Sequence, residues 1–531
     1  MKKILILFLL IISAGTVLAG KVDWKEYSYT KFIVQTKSEL GISEATGQIS
    51  IKTNLATLDE KNLKYRVIKI KKLFKDRNSD LQLYRDLGLG KIYVFYIQWN
   101  QQVDMTQLID DYISDTNIVY SEPVFIGHSA GQRDFNSVFT TGTKPALMPN
   151  DPQFFMQWYL NNTGIISTTS GASAKIGADI NMLNAWELDT GSDNIVVAIL
   201  DSGIKDDHPE LRGRIWTNKK EIPNNGIDDD NNGYVDDVRG WNFTEDNNNP
   251  HDGFGHGTNI ASVIGENSNN GVAFAGINFA CKLMNCKNLT DDNRGDYDWW
   301  IESIQYAADN GARIINMSEG GEDYSKTLKK AIDYALAKGV FIVTAMMNKG
   351  DGKSYYPASL PGVFAVGATD TDDRRCKKFT WGGGSCWGKH IKVVAPGNKI
   401  YGLDNNDDFK YDVSWSGTSQ ATAIVSGIAS LLLSQNPDRT KEDLNNILIS
   451  TAKDRVGDPR EDTPGWDQYM GFGRVDAYTA LMYEYNGYNV DKDKVRVKRD
   501  TSNKEDPAGK ESSDLEKKRK EAKAAEEKPG Q

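Results

Sequence analysis

Three short segments carry residue types that together can perform nucleophilic acyl chemistry. Val196-Val-Ala-Ile-Leu-Asp201 is an apolar run ending in a carboxylate, Gly253-Phe-Gly-His256-Gly-Thr258 sets an imidazole between glycines and opens a helical run, and Ser416-Gly-Thr-Ser419 puts a hydroxyl at the start of an apolar helix. Singly, each also reads as plain structure: a strand-end carboxylate, a loop histidine, a first-turn serine. A serine nucleophile needs an imidazole to take its proton, and the imidazole needs a carboxylate to hold its tautomer and stabilise its cation. The order Asp, His, Ser is one in which this constellation has arisen independently. The chain has only 5 histidines, which makes a chance match in this context rarer.

Such residues must be presented at the ends of rigid elements. Between about 150 and 485, apolar runs at 195–200, 282–286, 313–317, 340–345, 363–366 and 391–395 alternate with helical spacing at 299–310, 326–338, 418–435 and 441–452. Continuous apolar strands alternating with helices predict an α/β fold with a parallel sheet covered by helices on both faces. Functional residues then belong near the carboxyl ends of the strands. Ahead of this region, residues 21–130 read as a small α+β domain, with strands at 91–99 and 118–125 and a helix at 105–114. Residues 131–149, rich in Gly, Ser, Thr and Asn, read as an exposed linker and processing site. Residues 486–531 form a charged, low-complexity tail with little to bury.

The motifs AILDSGI at 198–204, GHGTNIAS at 255–262, INMSEGG at 315–321 and SGTSQATAIVSG at 416–427 resemble those of the subtilases, the subtilisin-like serine proteases. IVYSEPVF at 118–125 resembles the end of that family's inhibitory propeptide, and NDPQFFMQWYLNNTG at 150–164 the start of the mature enzyme. The resemblance implies a subtilisin-like catalytic domain at 150–485. It implies Asp201, His256 and Ser419 as the triad, and Asn348 as oxyanion donor beside the Ser419 backbone amide. Ser318, Glu319 and Gly320 would pair with substrate backbone as an added strand. Departures from the family pattern are Asn259, Gln420 and Ala423-Ile424, Met347 where Gly usually precedes the oxyanion Asn, and Glu319 where Leu is usual. Met347 and Tyr355 are expected to crowd the pocket before the cleaved bond and favour a small residue there. Glu319 is expected either to select a basic residue three positions further upstream or to point to water.

Asp228, Asp230, Asn232 and Asp236 place oxygen ligands at short intervals around Gly233, which suits a hard cation such as calcium; the same pattern also suits a solvated turn. Arg239 stands where an EF-hand needs its bidentate Glu, so this is not an EF-hand. From the resemblance comes a second calcium set: Asp151, Glu210 and Asn270. Of the 4 cysteines, Cys376 and Cys386 flank a Gly-rich turn and could bridge, whereas Cys281 and Cys286 lie on one strand, too far apart to do so and read as buried thiols.

With 63 Lys+Arg against 73 Asp+Glu, the chain is a poor non-specific nucleic-acid binder. Lys2-Lys3, the apolar run from Ile4 to Ile12 and the small residues near Ala19 read as a cleaved export signal over 1–20, after which no membrane anchor is expected. The expectation is a secreted serine endopeptidase, made as a self-processing zymogen, acting on polypeptides and inhibited by its own propeptide. One rival is a catalytically silent member of the family serving as a calcium-binding surface or chaperone module, which would show a broken catalytic set. The other is the acid peptidase class, which needs Glu in place of His256 and Asp in place of Asn348.

Overall fold

A computed structural model describes residues 27–42, 51–75, 81–98, 103–134 and 148–483; the export signal and the charged tail lie outside the described residues. The N-terminal domain runs β1 (Tyr27–Thr36), α1 (Ala56–Lys64), β2 (Val67–Lys72), α2 (Leu81–Asp86), β3 (Ile92–Ile97), α3 (Met105–Ile113) and β4 (Ile118–Ser129), followed directly by β5 (Gly131–Asp134). Its antiparallel sheet has the order β4-β1-β3-β2. One face buries Phe32, Val34, Phe95, Leu108 and Tyr112. Asp104 caps α3 by accepting the backbone N–H groups of Thr106 and Gln107.

The larger domain runs α4 (Met182–Ala185), β6 (Val196–Asp201), β7 (Gly240–Asn242), α5 (His256–Gly265), β8 (Lys282–Lys287), β9 (Gly295–Asp296), α6 (Tyr297–Asp309), β10 (Ile314–Met317), β11 (Glu319–Gly320), α7 (Lys326–Ala337), β12 (Phe341–Ala345), β13 (Phe364–Thr369), β14 (Ile391–Pro396), β15 (Ile400–Tyr401), β16 (Ser414–Gly417), α8 (Thr418–Gln435), α9 (Lys441–Ser450) and α10 (Ala477–Leu481). Seven strands form a parallel sheet in the order β14-β13-β12-β10-β6-β8-β7. The expected α/β architecture is therefore the one present. β6, β12 and β13 are largely apolar along their length because both sheet faces are covered. α8 is buried from Thr418 to Leu433, and Gly427 lets it lie close against Ile277. Strand β7 has no apolar run and carried no strand signal; it is held by pairing Gly240–Asn242 with Asn285–Lys287.

The two domains share a polar and apolar interface. Lys31 Nζ donates to both oxygens of Asp298 at 2.9 and 2.8 Å and lies 2.9 Å from Asp296 Oδ2, with all three side chains buried. Burial works against the Lys31 ammonium, but the Asp298 and Asp296 charges outweigh it and hold its pKa above the ordinary value. Lys71 pairs with Glu302 at 3.1 Å. Glu122 on β4 accepts the Ser325 hydroxyl at 2.7 Å and the backbone N–H groups of Lys326 and Thr327 at 3.1 Å each, so its carboxylate sits at the N-terminus of α7.

Two expectations need correction. Gly131–Asp134 is not linker: it pairs antiparallel with β16, Gly131 opposite Gly417 and Asp134 opposite Ser414. Residues 135–147 of the expected linker lie outside the described residues. Cys376 and Cys386 do not bridge, because their sulfurs face different groups, Lys378 O at 3.5 Å and Asp351 Oδ1 at 3.6 Å. Burial pushes the Cys386 thiol up to about 11 and the Cys281 thiol up to about 12, which keeps both protonated and unreactive.

Lys31→Met would leave buried Asp298 without its cation, while Asp296 would keep Arg294 at 3.0 Å. Breaking a buried pair in this way costs about 3–5 kcal/mol. The expected outcome is faster native-state hydrogen exchange across β1 and β4, with the seven-stranded sheet unaffected.

Candidate functional site

The site lies where strand ends and helix starts converge. β6 ends on Asp201, α5 opens on His256 and α8 opens one residue before Ser419. Gly255, at φ +100°, turns the chain into α5 in a conformation that disfavours side chains. Asp201 and His256 are both fully buried, and Asp201 Oδ1 meets His256 Nδ1 at 2.7 Å while also accepting the Ser202 backbone N–H at 2.7 Å. His256 stands edge-on to Trp415, with ring centroids 5.3 Å apart. Its Nε2 has no hydrogen-bond partner among the described residues. A Cβ at Gly131 would fall 2.6 Å from that nitrogen, so the backbone at Gly131 lies directly against it.

The Ser419 hydroxyl donates to Ser318 O at 2.9 Å, and Ser318 Oγ donates in turn to Ser419 O at 3.1 Å. Asn316 Nδ2 donates to Ser318 Oγ at 2.9 Å, which ties α8 to the end of β10. The Asn348 side-chain oxygen accepts the Thr418 backbone N–H at 2.9 Å and its hydroxyl at 3.0 Å. This fixes the amide so that Nδ2 faces the cleft, where it donates to Ala130 O. The Ser419 backbone N–H donates to the same oxygen at 3.1 Å. Two donors from separate elements thus converge on one carbonyl, that of Ala130. A Cβ at Gly417 would fall 2.1 Å from Ala130 O, so only glycine permits this approach.

Residues 126–130 lie in the cleft as an added strand. Ile126 and Gly127 pair antiparallel with Asp296 and Gly295 of β9, and His128 and Ser129 with Gly320 and Glu319 of β11. Ala130 N donates to Ser318 O at 2.7 Å. Ser318, Glu319 and Gly320 therefore do pair with an extended segment through their backbone.

The Glu319 side chain is elsewhere than expected. It is fully buried, accepts Asn288 Nδ2 at 2.9 Å, and does not reach toward any upstream pocket, because alternation along β11 turns it inward behind the cleft. Burial, with the Asp201 charge nearby, pushes its carboxyl well above the usual carboxylate range, which favours the uncharged acid. Asn288 also donates its backbone N–H to the Asp201 backbone carbonyl at 2.9 Å, which links Glu319 to the end of β6, a link that sequence reasoning missed; a lone Asn carries no motif. Met347 adopts φ +73°, a strained value for a side-chain-bearing residue, and its thioether packs over Gly320. Tyr355 is buried with Met346, Ala358 and Cys386 and donates its hydroxyl to Asp351 at 3.1 Å, so it backs Met347 and does not face the cleft.

Of the proposed cation ligands, Asp228 and Asp230 come together with Glu221, their carboxylate oxygens within 4.8 Å of one another. Glu221 was missed because it precedes the motif. Asn232 and Asp236 serve the loop instead: Asn232 Oδ1 accepts Tyr234 N at 2.8 Å, and Asp236 accepts the N–H groups of Asn225 and Gly226 at 3.0 and 2.9 Å. In the second set, Asp151 accepts Asn269 N at 2.7 Å and Asn270 N at 3.1 Å, and Asn270 Nδ2 donates to Glu210 at 2.9 Å. Burial raises both carboxyls, and Asp151 adds like-charge repulsion on Glu210. Fully buried Glu266 is raised further by burial and by the Glu210 charge.

Because Glu319 binds its proton more tightly in the folded chain, its contribution to stability is full below the unfolded carboxylate pKa and is lost as pH rises through the raised folded value. Glu319→Gln should therefore melt near wild type below about pH 4 and become the more stable of the two as pH rises through neutrality, as read by melting temperature against pH.

The chain matches the family model described as the subtilase family, peptidase S8, over residues 192–473. It is 31% identical over 299 residues to a thermophilic serine proteinase of Bacillus sp. strain AK1, covering 56% of this chain and 64% of that protein. It is 30% identical over 335 residues to thermitase of Thermoactinomyces vulgaris, covering 63% of this chain and 99% of thermitase. The crystal structure of fervidolysin from Fervidobacterium pennivorans, described as a keratinolytic enzyme related to subtilisin, superimposes with a TM-score of 0.56 at 20% identity; the match covers 87% of this chain and 62% of that one and shows the fold alone. The chain belongs to the subtilase family of serine endopeptidases.

Proposed function

We propose that this subtilase is a secreted endopeptidase made as a zymogen that cuts itself between Ala130 and Gly131. The observation that carries the reading is the Ala130 carbonyl oxygen, which accepts from both Asn348 Nδ2 and the Ser419 backbone N–H at the end of a strand supplied by the N-terminal domain. In this reading Ser419 Oγ leaves Ser318 O and attacks the Ala130 carbonyl carbon. His256 Nε2 takes the hydroxyl proton, and Asp201 holds Nδ1–H and stabilises the imidazolium. The oxyanion is held by Asn348 and the Ser419 amide, with the N-terminal dipole of α8 behind them. On collapse, His256 returns the proton to the Gly131 nitrogen, which departs as an amine. Water, activated by His256, then frees Ala130 from the acyl-enzyme. Ala130 also meets the expectation of a small residue before the cleaved bond.

The cleaved N-terminal domain would stay docked as an inhibitor, since β4 keeps its pairing with β9 and β11 and Glu122 keeps its place at α7. Export rests on the basic and apolar segment at 1–20; among the described residues no helix is long and apolar enough to cross a membrane.

Ser419→Ala should leave the chain uncut, and N-terminal sequencing of the wild-type product should begin at Gly131. Asn348→Ala should lower kcat by about 10²–10³-fold, the range known for the equivalent change in subtilisin itself. An uncut wild-type chain that hydrolyses no casein would contradict the reading.

Convergence of the Glu221, Asp228 and Asp230 carboxylates fits a hard, oxygen-loving cation, and calcium bound there would offset their mutual repulsion and pin the 221–237 loop. A ligand held only by the native state stabilises by about 2.7 kcal/mol at a hundredfold excess over Kd. Chelator should lower the melting temperature of the Ser419→Ala protein, and Asp228→Ala should remove most of that sensitivity. An unchanged melting temperature in chelator would contradict a bound cation.

A further inference from the structure

The added strand is constrained at one position by this chain's own side chains. Gly127 is the fourth residue before the Ala130–Gly131 bond, and it pairs with Gly295 across β9. A Cβ built on Gly127 would lie 2.1 Å from Trp300 Cη2, 2.7 Å from Cζ2 and 2.8 Å from Gly320 O. Contacts this short demand that something move, and neither neighbour is a flexible side-chain end. Gly320 O is backbone. The indole is fully buried on the first turn of α6, stacked on Tyr297 with ring centroids 4.6 Å apart and planes at 23°. Along the same edge a Cβ at Gly295, the residue paired with Gly127, would fall 2.4 Å from Trp300 Nε1 and 2.5 Å from Leu289 Cδ2. The indole thus lies over two paired glycines, Gly127 of the bound strand and Gly295 of the enzyme. It fills the space that a side chain at position 127 would need.

We propose that Trp300 makes this enzyme selective for glycine at the fourth residue before the cleaved bond, so that its substrates are extended, glycine-containing segments of the form Gly-x-x-small. The inference rests on the endopeptidase reading and on Ala130–Gly131 as the cleaved bond. Trp300 is a specificity determinant here and takes no part in bond breaking. The residues between behave differently. His128 is exposed, so the third position is open to solvent. Ser129 is buried, and its backbone N–H donates to Asn293 Oδ1 at 2.9 Å, which supports the strand without requiring a particular side chain.

The test uses the processed wild-type enzyme and quenched-fluorescent peptides spanning residues 123–133, with Gly, Ala, Val, Leu or Phe at position 127. Each added methyl-sized group with no pocket to enter is expected to lower kcat/KM by about 10- to 200-fold. The Leu and Phe peptides should then be cut at least about a hundredfold more slowly than the Gly peptide. Trp300→Ala, and Trp300→Leu as the variant that leaves the smaller cavity, should bring the Leu peptide to within a few-fold of the Gly peptide. Should neither variant fold, the wild-type series alone decides. Equal cleavage of the Gly and Leu peptides by wild-type enzyme overturns the role of Trp300 and leaves the endopeptidase reading standing. Mass spectrometry showing cleavage of the Gly peptide at another bond overturns the register on which the inference rests. Loss of hydrolysis of every peptide and of casein overturns the endopeptidase reading and this inference with it.

Discussion

The antiparallel pairing of residues 126–130 with β9 on one side and β11 on the other is the interaction on which the site depends. Backbone hydrogen bonding sets the register, and register sets everything downstream. It brings the Ala130 carbonyl between Asn348 and the Ser419 amide, lays Gly131 against His256 Nε2, and faces Gly127 toward Trp300. Because the side-chain period along a strand is two, a slip of one residue would turn every side chain to the opposite face. It would also drive the Cβ of Ile126 or His128 into the indole of Trp300.

Holding that strand requires a rigid frame on both sides. The seven-stranded sheet supplies one, with the buried α8 pressed on it and Ser419 carried at its first turn. The N-terminal domain supplies the other through its docking on α6 and α7. Its ion pairs are buried or half-buried: Lys31 with Asp296 and Asp298, and half-buried Lys71 with buried Glu302. Such pairs add little net stability over apolar packing, but a misdocked domain would leave several buried charges unpaired. They therefore act chiefly on orientation, which is what a strand that must enter a cleft in one register needs.

Buried carboxyls around the cleft divide into two kinds. Asp201 accepts hydrogen bonds from His256 and the Ser202 amide. Glu319, hydrogen-bonded to Asn288 behind the cleft, has its carboxyl pushed up by burial and by the Asp201 charge. Two ionised carboxyls in that small volume would repel each other, which favours the uncharged form of Glu319.

Periodicity and turn chemistry revealed the alternating strands and helices, the helix over 418–435 within its exact bounds, and the two-domain division, because each depends on local pattern. Spacing also singled out Asp201, His256 and Ser419, since each sits at an element boundary that the sequence marks with glycine or with the end of an apolar run, whereas Asn348 came from the family resemblance. Other features have no local signature. Asn288 bridges Glu319 and Asp201, Glu221 joins Asp228 and Asp230 across an intervening turn, and Trp300 reaches Gly127 from 173 positions away in the chain. The inward turn of Glu319 and the strand character of Gly131–Asp134 likewise arise from pairing with distant segments, β4 with β11 and β5 with β16. Contacts between residues far apart in sequence are set by packing and strand register, and neither quantity exists until the chain has folded.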